Sequence, residues 1–164
     1  MNFRLAKETD LDAIYELVRS AIIEMEKNSI FQWDNIYPTK KDFLFDIKKS
    51  QLFVGELDQN ILVVFTINKE YDEQYQNGNW KYPTCEYRVI HRLCVNPKYQ
   101  NRGIAGKTLD HIENELCKSG VEAIRLDVFT DNPYALSLYH NNGYQKVGSA
   151  KWRKGEFALM EKHL

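Results

Sequence analysis

Gln100-Asn101-Arg102-Gly103-Ile104-Ala105-Gly106 is the stretch on which the reading of this 164-residue chain turns. It follows a strand stopped by Asn96-Pro97 and leads into a helix whose inner face is Ile104, Thr108, Leu109, Ile112 and Leu116. The first N–H groups of a helix have no intrahelical partner and sit at the positive end of its dipole, so they attract anions. Gly103 and Gly106 let the backbone approach a phosphate with no Cβ in the way. Arg102 and Lys107 add positive charge beside it. The spacing fits neither the dinucleotide fingerprint nor the P-loop, so by itself the segment reads as an anion-binding turn or as an ordinary glycine-containing one.

Working outward, the turn signals and apolar periodicities order the rest of the chain. A short strand from Phe3 to Lys7 precedes a helix capped at Thr9 or Asp10, with Leu11, Ile14, Leu17, Val18, Ala21, Ile22 and Met25 at helical spacing. Thr39 caps a second helix carrying Phe43, Leu44 and Ile47. Strands from Gln51 to Leu57 and from Ile61 to Asn68 form a hairpin around Asp58-Gln59-Asn60. Tyr71 to Thr84 is a long polar loop, and Glu86 to Val95 is the strand before the glycine turn. The helix after that turn stops near Gly120, and a strand runs from Ile124 to Phe129. A helix opens at Asn132-Pro133 and closes at Asn142-Gly143. Tyr144 to Val147 and Phe157 to Met160 are the last strands. The expected order is β-α-α-β-β-β-α-β-α-β-β, a single α/β (α+β) domain over residues 1–164 with no linker or repeat.

Two blocks together carry a resemblance. Leu93-x-Val95-x-Pro97-x-x-Gln100-x-x-Gly103-x-Ala105, followed after one helix and one strand by Asn132-Pro133-Tyr134-Ala135 through Leu138-Tyr139 to Asn142-Gly143-Tyr144, resembles the signatures of the GNAT superfamily of N-acetyltransferases. The resemblance implies a central mixed, mostly antiparallel sheet of about seven strands flanked by about four helices. It implies acetyl-CoA as co-substrate, with the backbone of Leu93, Cys94 and Val95 pairing with the pantetheine arm. The amides of Gln100, Asn101, Arg102, Gly103, Ile104, Ala105 and Gly106, with Lys107, would bind the pyrophosphate. Asn132 and Ala135 would contact the pantetheine or phosphate arm, and Tyr139 would lie near the thioester sulfur. Ala105 stands where glycine is commoner.

Acetyl transfer to an amine requires a neutral nucleophile, a donor facing the carbonyl oxygen and a proton for the departing thiolate. Tyr139, a phenol with an ordinary pKa of about 10, is the expected acid. Many members of the family have a glutamate four residues before the position of Leu93; here it is Val89. Strand alternation sets His91 on the face of Val89, Leu93 and Val95, and an imidazole with an ordinary pKa near 6.5 suits a base. Glu86 is the second candidate, since a bulge would change the facing of this strand. Cys94 has no base partner in sequence, so direct transfer is expected rather than an acyl-enzyme.

Trp33 and Tyr37, between the first two helices, and Tyr75, in the long loop, are the expected walls of an acceptor cleft, where aromatics beside carboxylates suit a cationic amine. Packing of Trp33 and Tyr37 into the helical corner is an equal reading. The acceptor could be a small molecule or a peptide amine. Net charge of −1 provides no field for nucleic acid, and no window is apolar enough to span a membrane. Met1-Asn2-Phe3-Arg4 has no apolar signal core, and the three cysteines form no C-x-x-C pair, so a reduced cytoplasm is the expected compartment. No cluster has metal-ligand spacing, and a homodimer is compatible with the chain. The competing readings are an inactive acetyl-CoA sensor, kept open by Val89, and an unrelated nucleotide-binding domain.

Overall fold

A computed structural model describes all of residues 1–164. Its regular elements are β1 (Asn2–Leu5), α1 (Leu11–Lys27), α2 (Lys40–Lys48), β2 (Leu52–Leu57), β3 (Asn60–Asn68), β4 (Tyr87–Val95), α3 (Ile104–Lys118), β5 (Ala123–Phe129), α4 (Pro133–Asn141), β6 (Gln145–Trp152) and β7 (Gly155–His163). The expected element order holds. The strands form one seven-stranded mixed sheet in the order β1-β2-β3-β4-β5-β7-β6. Its β4–β5 pair is parallel, and β1–β2, β2–β3, β5–β7 and β6–β7 are antiparallel. Contacts gather into two compact units: Met1–Ile67 with Arg92–Thr108, and Asn68–His91 with Leu109–Leu164.

Local chemistry explains the elements of the first unit. Thr39 and Asp42 form a reciprocal capping box that opens α2. Asp58 and Gln59 both have positive φ, the geometry of a two-residue hairpin turn between β2 and β3. The apolar stripe of α1, with Ile14, Leu17, Val18, Ala21 and Ile22 buried, packs with Phe43, Ile47, Leu52, Val54 and Val64 in one core. Arg4 bonds Asp10 and Glu56, tying β1 to the start of α1 and to β2. The amino-terminal strand runs from Asn2 to Leu5 rather than to Lys7, because residues 8–10 turn as a 3-10 helix and Asp10 takes the Lys7 N–H.

In the second unit, Tyr75, Val89, Ala150 and Leu159 form a core flanked by Trp80, Tyr87, Val147 and Trp152. The buried Arg125 pairs with Glu161 and lies over the rings of Trp80 and Tyr87. The loop expected over residues 71–84 contains a 3-10 turn, Glu73–Asn77, and is fastened down. Asn79 donates its backbone N–H to the Val147 carbonyl at 2.7 Å, where the β6–β7 register shifts between Lys146 and Gly148. A Cβ on Gly148 would lie 2.7 Å from the Asn77 carbonyl oxygen, so only glycine allows this approach. The last two strands extend beyond the expected 144–147 and 157–160, because β6 and β7 pair as far as Trp152↔Gly155 around a tight turn.

Candidate functional site

The glycine turn belongs to the first unit. A 3-10 turn, Pro97–Tyr99, is capped by Asn96, whose side chain accepts from the Lys98 N–H. Asn101 and Gly103 both adopt positive φ, 60° and 72°, and swing the chain into α3. The first backbone bond of that helix runs from Lys107 N–H to the Gly103 carbonyl at 3.0 Å. The amides of Ile104, Ala105 and Gly106 therefore stand ahead of the ladder, at the positive end of a 15-residue helix. A Cβ built on Gly106 meets no protein atom within 4 Å, and Gly106 has no positive φ. Neither packing nor backbone geometry demands glycine there. Arg102 stacks over Tyr99 with its charge kept beside the turn, and Gln100 reaches back to the Val95 carbonyl.

Within β4, Leu93 and Val95 are half-buried and Cys94 is buried among α1, α2, β2 and β3. Burial pushes the Cys94 thiol up to about 12, which keeps it protonated and unreactive. Arg92, just before them, has φ of 51°, a left-handed break inside the strand of the kind a bulge requires. Its guanidinium ion-pairs with the buried Asp46 of α2, and Asp46 also accepts from Thr66 at 2.8 Å. A second arm of Arg92 donates to the Tyr37 hydroxyl at 2.7 Å. Tyr37 is partly exposed beside the exposed Ile36 and Phe31. Trp33, by contrast, is buried in the α1–α2 core, so of the two expected wall residues only Tyr37 presents a surface.

The remaining expected residues lie in the second unit. Tyr139 is buried on α4, edge-on to Tyr144 with centroids 5.4 Å apart. Burial, then the charge of Asp127, raises its pKa above the usual phenol range, so the hydroxyl keeps its proton. Asn132 caps α4 as expected, its Oδ1 accepting the Ala135 N–H at 3.0 Å. His91 contacts two oxygens through Nε2: Asn68 Oδ1 and the Glu70 carbonyl, each at 2.9 Å. Asn68 Oδ1 also accepts from the Glu70 N–H, which fixes it as the oxygen. Nε2 must then carry a hydrogen, and a base role for His91 would fall to Nδ1.

Two expectations are corrected here. Glu86, ahead of β4, bonds Lys69 and Arg88, which hold its carboxyl below the usual range; a carboxylate so stabilised is a poor proton acceptor. Tyr75 does not line an open loop. It is 2% exposed, and its hydroxyl donates to Asp127 Oδ1 at 2.7 Å.

Asp127 is the residue that sequence reasoning missed. It is on β5, two residues past the last parallel pair with β4, Val89↔Arg125, and it pairs across β7 with Leu159. Its charge raises the pKa of both Tyr75 and Tyr139, so one carboxylate serves two tyrosines. The available signal was one acid in the otherwise apolar run Leu126-Asp127-Val128-Phe129.

The model of the GNAT acetyltransferase family matches residues 12–144. The chain belongs to the GNAT acetyltransferase family. A GNAT acetyltransferase from Streptococcus agalactiae superposes with a TM-score of 0.87 at 23% identity, covering 99% of this chain and 95% of that one. The PaiA N-acetyltransferase of Thermoplasma acidophilum, solved in complex with coenzyme A, superposes with a TM-score of 0.74 at 18% identity, covering 99% and 98%. The N-alpha-acetyltransferase RimI of Mycobacterium tuberculosis is 42% identical over 66 residues, which is 40% of this chain and 39% of the relative. The chain thus spans two fifths or less of the length of the curated relatives it matches. Val89, at the position where many GNAT members have glutamate, is fully buried. No group of three or more His, Cys, Asp or Glu is placed to hold a metal, and no helix is long and apolar enough to cross a membrane.

Proposed function

We propose that residues 1–164 act as one cytoplasmic acetyl-CoA-dependent N-acetyltransferase domain that moves the acetyl group to a primary amine by direct attack. The observation that carries this reading is Gly106, a glycine required by neither packing nor φ, beside the unbonded amides of Ile104 and Ala105. Those groups, with Arg102 and Lys107, fit a pyrophosphate. The backbone of Leu93 to Val95 fits an extended pantetheine arm. When bound, acetyl-CoA supplies the activated acyl group, and every other part belongs to the chain or the acceptor.

The amine nitrogen forms a bond to the carbonyl carbon as the carbon–sulfur bond breaks. Tyr139 gives its proton to the departing sulfur as the carbon–sulfur bond breaks. The amine's proton passes to Asp127, directly or through water, and His91 Nδ1 is the other acceptor of the right type. The Asp127 carboxylate also attracts an ammonium acceptor before it loses that proton. The relatives' names make the α-amine of a peptide the first acceptor to test, with small amines alongside it.

The decisive experiment measures thiol release from acetyl-CoA over a panel of amines and peptides. Release with at least one acceptor, strongly slowed in Tyr139→Phe, supports the proposal. Saturable acetyl-CoA binding with no release across the panel favours a sensor, the reading that the buried Val89 supports.

A further inference from the structure

Arg125 shows how this protein holds a cation. Its guanidinium lies over the rings of Tyr87 and Trp80, 4.1 and 4.5 Å from their centroids, and pairs with the Glu161 carboxylate. Two aromatic faces and one carboxylate make that site, and the chain fills it from within. The same three parts recur beside Tyr75. Tyr71 stacks on Tyr75 with centroids 5.2 Å apart, and Trp152 meets Tyr75 edge-on at 6.3 Å. Asp72 follows Tyr71 in sequence and accepts from Trp152 Nε1 at 3.0 Å through Oδ2. Here the chain supplies no cation. No lysine or arginine lies over the Tyr71 or Trp152 ring, and none pairs with Asp72. Arg153 and Lys154, next to Trp152 in sequence, have partners of their own. Tyr71 is 45% exposed, Asp72 is exposed and Trp152 is half-buried, so solvent reaches all three.

We propose that Tyr71, Asp72 and Trp152 form a subsite for a second positive charge of the acceptor, a guanidinium or ammonium set back from the amine that is acetylated. This rests on the reading of Asp127 as the carboxylate that attracts that amine. Tyr75 joins the two places. Its ring packs against Tyr71 and Trp152 and its hydroxyl bonds Asp127, so a cation at Asp72 and an amine at Asp127 are one tyrosine side chain apart. Tyr71 also touches Tyr87 of the Arg125 site, but Glu161 neutralises Arg125, so that charge does not bar a second cation. A peptide with a basic residue just after its α-amine has the required form, and so does a diamine. An exposed ion pair contributes little by itself, and so does a cation over an exposed ring; together they favour the doubly charged acceptor by about tenfold.

The test measures thiol release by the complete chain at low ionic strength with two acceptor pairs that differ in the second charge. One pair is Ala-Arg-Gly-amide against Ala-citrulline-Gly-amide; the other is cadaverine against pentylamine. The charged member of at least one pair should have the higher kcat/KM, by about tenfold and mostly through KM. Asp72→Asn, which keeps an oxygen for Trp152, should cut that ratio to about threefold or less. Preference confined to the first pair identifies a basic peptide, and preference confined to the second a diamine. A ratio near one in both pairs, or a ratio that Asp72→Asn leaves in place, overturns the proposal. A chain that releases no thiol with any acceptor defeats the acetyl-transfer reading instead, and the subsite is then read by binding. N-acetylargininamide has a guanidinium and no amine to acetylate. It should shift the indole Nε1–H resonance of Trp152, assigned by its loss in Trp152→Phe, saturably in the parent and not in Asp72→Asn. No shift in the parent, or an equal shift in Asp72→Asn, overturns the subsite.

Discussion

Tyr139 and Gly106 are single positions whose substitution separates chemistry from architecture. Tyr139→Phe removes one oxygen from a ring that stays packed against Tyr144. Steady-state kinetics should show kcat falling by a factor of about 100–10,000, the size of a lost general acid, while the acetyl-CoA dissociation constant stays put. The wild-type phenol is held above its ordinary range, so its deprotonation removes activity only at pH above the usual tyrosine limit. An alkaline limb near neutrality would belong to another group. Gly106→Ala has the opposite profile. The added methyl meets no protein atom and sits in a helical turn, so denaturant titration should show stability unchanged or raised by up to about 1 kcal/mol. Acetyl-CoA affinity measured by calorimetry should fall at least about tenfold, because the methyl occupies the phosphate approach.

At the level of helices, strands and turns, most of the architecture was written locally. Thr39 with Asp42, Asp58-Gln59 and Asn132-Pro133 are signals whose physics spans only a few residues, and the structure uses each where it stands. The ends of β6 and β7 were less legible. Gly148, Ser149 and Lys151 break apolar alternation, and these strands are set by pairing with each other rather than by one buried face. Asp127 and Asp46 were illegible for a related reason: the partners that hold the half-buried one and the buried one lie 52 residues from the first and 20 or 46 from the second. Gly148→Ala tests the fastening of the 71–80 segment. Overlap of its methyl with the Asn77 carbonyl should cost about 1–3 kcal/mol in urea unfolding. The Arg4 junction sets an acid-side dependence. Bonds from Arg4 lower the pKa of Asp10 and of Glu56, so their contribution is present above the ordinary carboxylate range and lost as pH falls through the lowered values. Arg4→Met should therefore be less stable than the parent at pH 7, and the gap should close as pH drops below about 4.

For the molecule as a whole, family membership explains the order of strands. The apolar Val89, the left-handed Arg92 bonded to Asp46, and the Tyr75–Asp127 pair set its local chemistry. Acetyl-CoA at a hundred times its dissociation constant should stabilise the fold by about 2.7 kcal/mol, a melting shift of roughly 5–10 °C for a chain of this size. The three thiols offer a measure of time rather than affinity. Cys117 is exposed and Cys85 half-covered, whereas Cys94 is sealed in the α1–α2 core with its ionisation suppressed. An alkylating reagent will consume Cys117 first, and Cys94 will wait until that core parts. Mass spectrometry of the slowest adduct is therefore a stopwatch for how often the unit around Cys94 opens, built in without a label or a mutation.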